Sequence, residues 1–148
     1  LDLAAADINA VRERSNAGPI TAADVTIDYI FDERARELFM ETPRQNELLR
    51  ASYTLAHHPK DGYSYNVETL HEDNFWYDRM MRYNNFFREE TFHDFALTAR
   101  IAPYQFRWPI PDATITANTQ GTINQNPGYS GAQRNQPPLE TVDAPFNF

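Results

Sequence analysis

The sequence predicts a mainly α-helical fold that runs out into an extended, loop-rich, proline-containing C-terminal segment. Three observations carry this. Apolar residues recur at three- and four-residue spacing through the first half of the chain. Capping and breaking residues bracket those runs at helix lengths. From Pro103 onward the chain holds seven of its 10 prolines, each of which removes a backbone donor and fixes φ.

Residues 1 to 14 read as the first helix, with Leu1, Ala4, Ile8 and Val11 on one face and Asn16, Gly18 and Pro19 ending it. Thr21 and Asp24 have capping-box spacing and are expected to open the second helix. Its buried stripe is Ile27, Phe31, Ala35, Leu38 and Phe39. Thr42-Pro43 interrupts it. Pro43 suits the first turn of a third helix, with Thr42 and Gln45 as a second capping box, running through Leu48 and Leu49 to about Ala56. "HHPKDGYSYN" reads as a loop, since Pro59 and Asp61-Gly62 are turn formers. A further helix is expected from about Glu68 to Phe87, with Trp76, Met80, Tyr83 and Phe87 as a core stripe and Arg79 and Arg82 on a neighbouring face. Residues 88 to 108 pass through ambiguous, strand-like segments. The "RWPIP" stretch cannot be helix or central strand, because Pro109 and Pro111 push it to an extended shape. The expected organisation is a helix pair over 1–58, a loop and third major helix over 59–102, and an extended strap and tail over 103–148.

Composition narrows the function classes. A net charge of −8, from 13 basic and 21 acidic residues, argues against nucleic acid as a partner, since no basic stripe offers counterion release. The absence of cysteine excludes disulfides, thiolate metal sites and cysteine nucleophiles within this sequence. No run is long and apolar enough to be a membrane-spanning helix. The opening residues lack the form of a signal peptide, and the sequence reads as a mature piece or fragment of a longer chain. An aromatic share of 14% favours a packed unit, or a surface that binds flat ligands, over disorder.

The candidate chemistry is sparse. Glu33, Glu37 and Glu41 recur every four residues, a spacing that can pair carboxylates for acid–base work. Arg34, Arg36, Arg44 and Arg50 lie within three or four residues of a carboxylate, which favours an ion-paired helix, because a general acid needs the opposite environment. The histidines, His57, His58, His71 and His93, lack the one-turn spacing of a helical metal pair. There is no nucleophile elbow, phosphate-binding loop or dinucleotide turn. No catalytic residue, metal or cofactor is expected. Tyr63 and Tyr65 are the ligand candidates: two loop tyrosines among Gly62, Ser64 and Asn66, suited to stack on a sugar face while amides and hydroxyls bond it. Packing back onto the helices is the other reading of the same pair.

Three blocks resemble the C-terminal region of the RagB/SusD family of outer-membrane nutrient-binding lipoproteins. The first is Glu33-Arg34, Glu37-Leu38, Glu41, Arg44, Glu47-Leu48 and Arg50, with Thr42 where the family carries glycine. The second is "FWYDRMMRYNNFF". The third is Pro109-Ile110-Pro111 with Asn118 and then Gln125-Asn126-Pro127-Gly128-Tyr129. The resemblance implies tetratricopeptide-like helix pairs with loops packed on them. It also implies a non-enzymatic, surface-exposed protein at the cell outer membrane. Such a protein captures an oligosaccharide or other nutrient for a TonB-dependent transporter. It further implies an upstream N-terminal part of the same protein that carries a lipidated cysteine. A helical scaffold that binds a protein partner, with no small ligand, is the alternative. On this resemblance the P-I-P segment is a strap over the helices, anchored by Tyr104, Phe106 and Trp108. Trp108 is then expected to be buried against the Trp76–Met80–Tyr83–Phe87 stripe.

Overall fold

The computed structural model describes residues 1–82 and 101–137. The fold is mainly α: the described residues form five α-helices, several 3₁₀ turns and no strand. Two compact units divide the chain, Leu1–Val67 and Glu68–Phe148. Tyr83 and Phe87 of the expected stripe, the ambiguous segment over 88–100, and the tail from 138 onward lie outside the described residues.

In the first unit, α1 (Asp2–Arg14) ends as its sequence predicts. Asn16 takes a left-handed φ of 53°. Its N–H bonds Glu13 O at 3.0 Å, and that of Ala17 bonds Arg12 O at 3.0 Å. This is a Schellman closure with Asn in the position that tolerates positive φ. The next helix starts later than its first capping signal. Asp24 does accept from the Thr21 N–H at 2.8 Å and hydroxyl at 2.7 Å, but the pair closes only a 3₁₀ turn, Ala22–Asp24. α2 (Ile27–Glu37) opens instead at Thr26, whose hydroxyl accepts from Tyr29 N–H at 3.1 Å. Val25, held in an extended conformation, separates the two caps and is itself buried.

The α2 stripe is also corrected. Ile27, Phe31 and Leu38 are half-buried, Ala35 is exposed and Phe39 is 76% exposed, while Glu33 is the buried residue of the helix. Leu38 already leaves helical geometry, and Met40 at φ 68° turns the chain, so Phe39 falls beyond the periodic face. α3 (Arg44–His57) buries Glu47, Leu48, Ala51, Ser52 and Leu55, one face at helical spacing. Pro43 is its N-cap, and no Thr42 side-chain cap forms. The Thr42 N–H that such a box would satisfy already donates to Leu38 O at 3.2 Å.

In the second unit, α4 (Phe75–Arg82) begins seven residues after Glu68, where the sequence placed its start. Fully buried Asn74 decides this. Its Oδ1 accepts from Tyr77 N–H at 2.9 Å, and its Nδ2 donates to Leu70 O at 2.7 Å and Pro103 O at 2.9 Å. One side chain therefore caps α4 and ties the 3₁₀ turn Pro103–Phe106 to it. Phe75 and Phe106 are both fully buried and, with Leu70 and Trp76, form the core of this unit. Arg79, placed on a neighbouring face by spacing, is buried too, with its guanidinium 5.9 Å from the Phe75 ring. α5 (Asp112–Ala117) follows Pro111 directly. The strap is thus extended only as far as Pro111, which pre-sets φ for the helix it introduces.

Candidate functional site

The Tyr63–Tyr65 loop is built by a tight turn. Asp61 (φ 53°) and Gly62 (φ 85°) both take positive φ, and Lys60 and Tyr63 exchange backbone hydrogen bonds at 3.0 and 2.9 Å. Asp-Gly is the residue pair this geometry favours. The turn delivers two side chains to the start of α2. Asp61 Oδ2 accepts from Ile27 N–H at 2.6 Å, so a loop carboxylate satisfies an open helix donor. The Tyr63 hydroxyl donates to Asp28, 2.9 and 3.0 Å from its two oxygens. Tyr63 is consequently buried, not the exposed ring its loop position suggested, and packs back onto the helix. Tyr65 is half-buried and lies over it, ring centroids 6.3 Å apart and planes 24° off parallel. The structure therefore brings the two candidates together, with Tyr65 the more accessible.

The acidic helix face is a set of ion pairs. Glu33 accepts from Arg12 at 3.0 Å and also pairs with Arg36. Glu47 pairs with Arg34 and, at 2.6 Å, with Arg44. Arg14 reaches Glu37 at 3.1 Å. Burial pushes the Glu33 and Glu47 carboxyls up, but the two guanidinium groups on each outweigh it and hold both below the usual carboxylate range. A carboxylate held ionised in this way is a poor proton donor at neutral pH. Among the described residues no group of three or more His, Asp or Glu side chains is placed to hold a metal ion, and His71 approaches only Glu72, at 3.5 Å. No helix among the described residues is long and apolar enough to cross a membrane.

The strap forms a second site, and the C-terminal motif rather than a helix holds it. Tyr129 Oη donates to Arg107 O at 2.7 Å, and Asn126 Nδ2 donates to Trp108 O at 2.6 Å. Gln125 Oε1 accepts from Ile110 N–H and its Nε2 donates to Ile110 O, both at 2.8 Å. Pro109 and Pro111 have no N–H to satisfy. Asn135 in turn brackets the Gln125 backbone, bonding its N–H at 2.8 Å and its carbonyl at 2.7 Å. Gly128, at φ 89°, lies against Tyr104, and a Cβ there would sit 2.3 Å from Tyr104 Cγ. The Tyr104 ring meets Tyr129 edge-on at 4.9 Å. Burial, and then the neighbouring Tyr104, raise the Tyr129 hydroxyl's pKa.

Trp108 overturns the expectation that it is buried: it is 78% exposed, while Phe106 is fully buried. Strict alternation would place both on one face. Phe106 belongs to a 3₁₀ turn and only from Arg107 is the backbone extended, so the period changes between them. Sequence reasoning also missed Asp28, Asp61 and Asn74. Asp61-Gly62 was visible as a turn signal, but its distant capping role had no local signature.

A helical unit fixed by ion pairs to two buried glutamates, and a second unit closed by a locked proline strap, define a mainly α protein with no metal-holding cluster among the described residues. The model of the SusD family matches residues 1–129, and the chain belongs to that family. SusD family proteins are nutrient-binding and associated with the outer membrane. No curated protein matches the chain, and no solved structure does.

Proposed function

We propose that the chain belongs to a nutrient-capture protein, glycans being the favoured cargo, that hands its ligand to a TonB-dependent outer-membrane transporter and catalyses no reaction. Membership of the SusD family over residues 1–129 carries this reading. The interlock of Gln125 with Ile110 supports it, because the two motif halves behind the family resemblance serve one structural purpose here. In this reading the protein faces the cell exterior, is anchored through a lipidated cysteine upstream, and includes this chain as the C-terminal portion of a larger domain. Tyr63 and Tyr65 contribute a ligand contact, Tyr65 as the accessible ring and Tyr63 as the support that Asp28 fixes from behind.

Two measurements test it. The intact protein should co-purify with a TonB-dependent transporter from outer membranes, and it should bind oligosaccharides by calorimetry. Tyr65→Ala should weaken that binding about tenfold, with little change in melting temperature. Failure to bind any oligosaccharide, combined with stable capture of a protein, would favour a helical scaffold instead. One observation favours that second reading: Phe39 and Met40 stand exposed beside a cleft of ≈ 520 Å³ at the end of α2.

A further inference from the structure

We propose that Trp108 is a stacking platform for a pyranose ring, presented by the strap lock. The inference rests on the carbohydrate reading above but adds a site to it. Its basis is a mismatch between backbone and side chain. Arg107 and Trp108 carbonyls and both polar groups of Ile110 are each bonded by Tyr129, Asn126 or Gln125, at 2.6 to 2.8 Å. Such a backbone is already ordered, so little conformational freedom is left to lose when a ligand docks. Yet the largest apolar side chain on it stands 78% in water. The lock does not use the indole: it takes only the Trp108 carbonyl, which any residue supplies.

The surroundings select the ligand class. Among the described residues of the second unit, Trp108 is the one large hydrophobic side chain that is exposed. A protein partner needs a contiguous apolar patch around its anchor. A sugar needs one flat apolar face for its axial C–H groups and polar groups at the edge. Asn126 supplies the latter: its Nδ2 is committed to the Trp108 carbonyl, which leaves its amide oxygen there as an acceptor for a sugar hydroxyl.

The two tryptophans of the chain give the test its readout, since Trp76 is 7% exposed and Trp108 is 78% exposed. Acrylamide quenching of the intact protein should report an accessible indole that is lost in Trp108→Phe. Cellohexaose, maltohexaose and mannohexaose are then titrated. The hexasaccharide that binds should shield Trp108 from acrylamide, and Trp108→Ala should weaken its affinity about tenfold or more. Trp108→Phe should retain part of that affinity and the melting temperatures should stay within a degree or so of wild type. An indole already shielded in the free protein would mean that another part of the chain covers it, and the site is lost. Unchanged affinity and quenching in a protein that does bind would refute the platform and leave the carbohydrate reading standing. Binding of none of the three by the wild-type protein would remove the platform and count against the broader reading as well.

Discussion

Gly128 shows how one position can be constrained twice. Its φ of 89° disfavours any side chain, and Tyr104 occupies the space a Cβ would enter. Gly128→Ala should therefore destabilise by about 2–4 kcal/mol, combining left-handed strain with overpacking; thermal unfolding checks it. Gln125 is constrained by hydrogen bonding. Gln125→Leu keeps the size but strands the N–H and carbonyl of Ile110, at roughly 1–3 kcal/mol for each group that water cannot reach. Chemical denaturation should show the loss. Trp108→Ala should behave oppositely. A buried tryptophan would lose about 3–5 kcal/mol, whereas this exposed one should change stability by no more than about 0.5 kcal/mol.

At the scale of elements, two kinds of side chain join segments that share no regular hydrogen-bond ladder. Guanidinium–carboxylate pairs tie α1 to α2 through Arg12–Glu33 and α2 to α3 through Arg34–Glu47. Side-chain amides do the corresponding work on extended backbone. Asn9 brackets Ile20 at 2.8 and 2.9 Å, Gln125 brackets Ile110, and Asn124 brackets Gln136 at 2.7 and 2.9 Å. Each amide offers a donor and an acceptor side by side, as a neighbouring strand would. The ion pairs should be non-additive. Arg44 is about a third exposed and leaves Arg34 on Glu47, so Arg44→Ala should cost under about 1 kcal/mol. Removing Arg34 and Arg44 together strands a buried carboxylate, and the double variant should lose about 3–5 kcal/mol. A double-mutant cycle measures the excess; strictly additive losses would show that Glu47 is hydrated.

For the molecule as a whole, the carboxyls of shifted pKa described in the two units should respond to acid in opposite senses. Glu33 and Glu47 have folded pKa values below their unfolded ones, so their contribution is present above the unfolded value of about 4.3. It is lost as pH falls through the still lower folded values. In the second unit Asp73 is raised by burial and by Asp78, so its protonation on acidification favours the folded form. The amide brackets do not titrate. Hydrogen exchange, corrected for intrinsic rate and followed from about pH 6 to about pH 3, should show protection falling first in α2 and α3. Earlier loss in α4 and the strap would contradict this.

Much of this protein was legible in one dimension because the responsible physics is local. Periodicity placed α1 and α3 closely, Asn16 announced the end of the first, and Asp61-Gly62 announced the turn. The arginine spacing foretold an ion-paired face in place of an acid–base pair. The blocks that resembled the SusD family were legible as well, and the match over residues 1–129 agrees with them. What the sequence could not decide were choices among local signals of equal strength. Thr21 and Thr26 are both competent caps, and Asp61, 34 residues from Ile27, supplies the further capping bond at the one that opens α2. Glu68 and Asn74 both suit a helix start, and the tie from Asn74 to Pro103 selects the second. Trp108 was expected to face in, and the change from 3₁₀ to extended backbone after Phe106 turned it outward. For both helix starts the deciding contact spans a sequence separation that no window of spacing or propensity covers, so only the folded chain brings the deciding groups together.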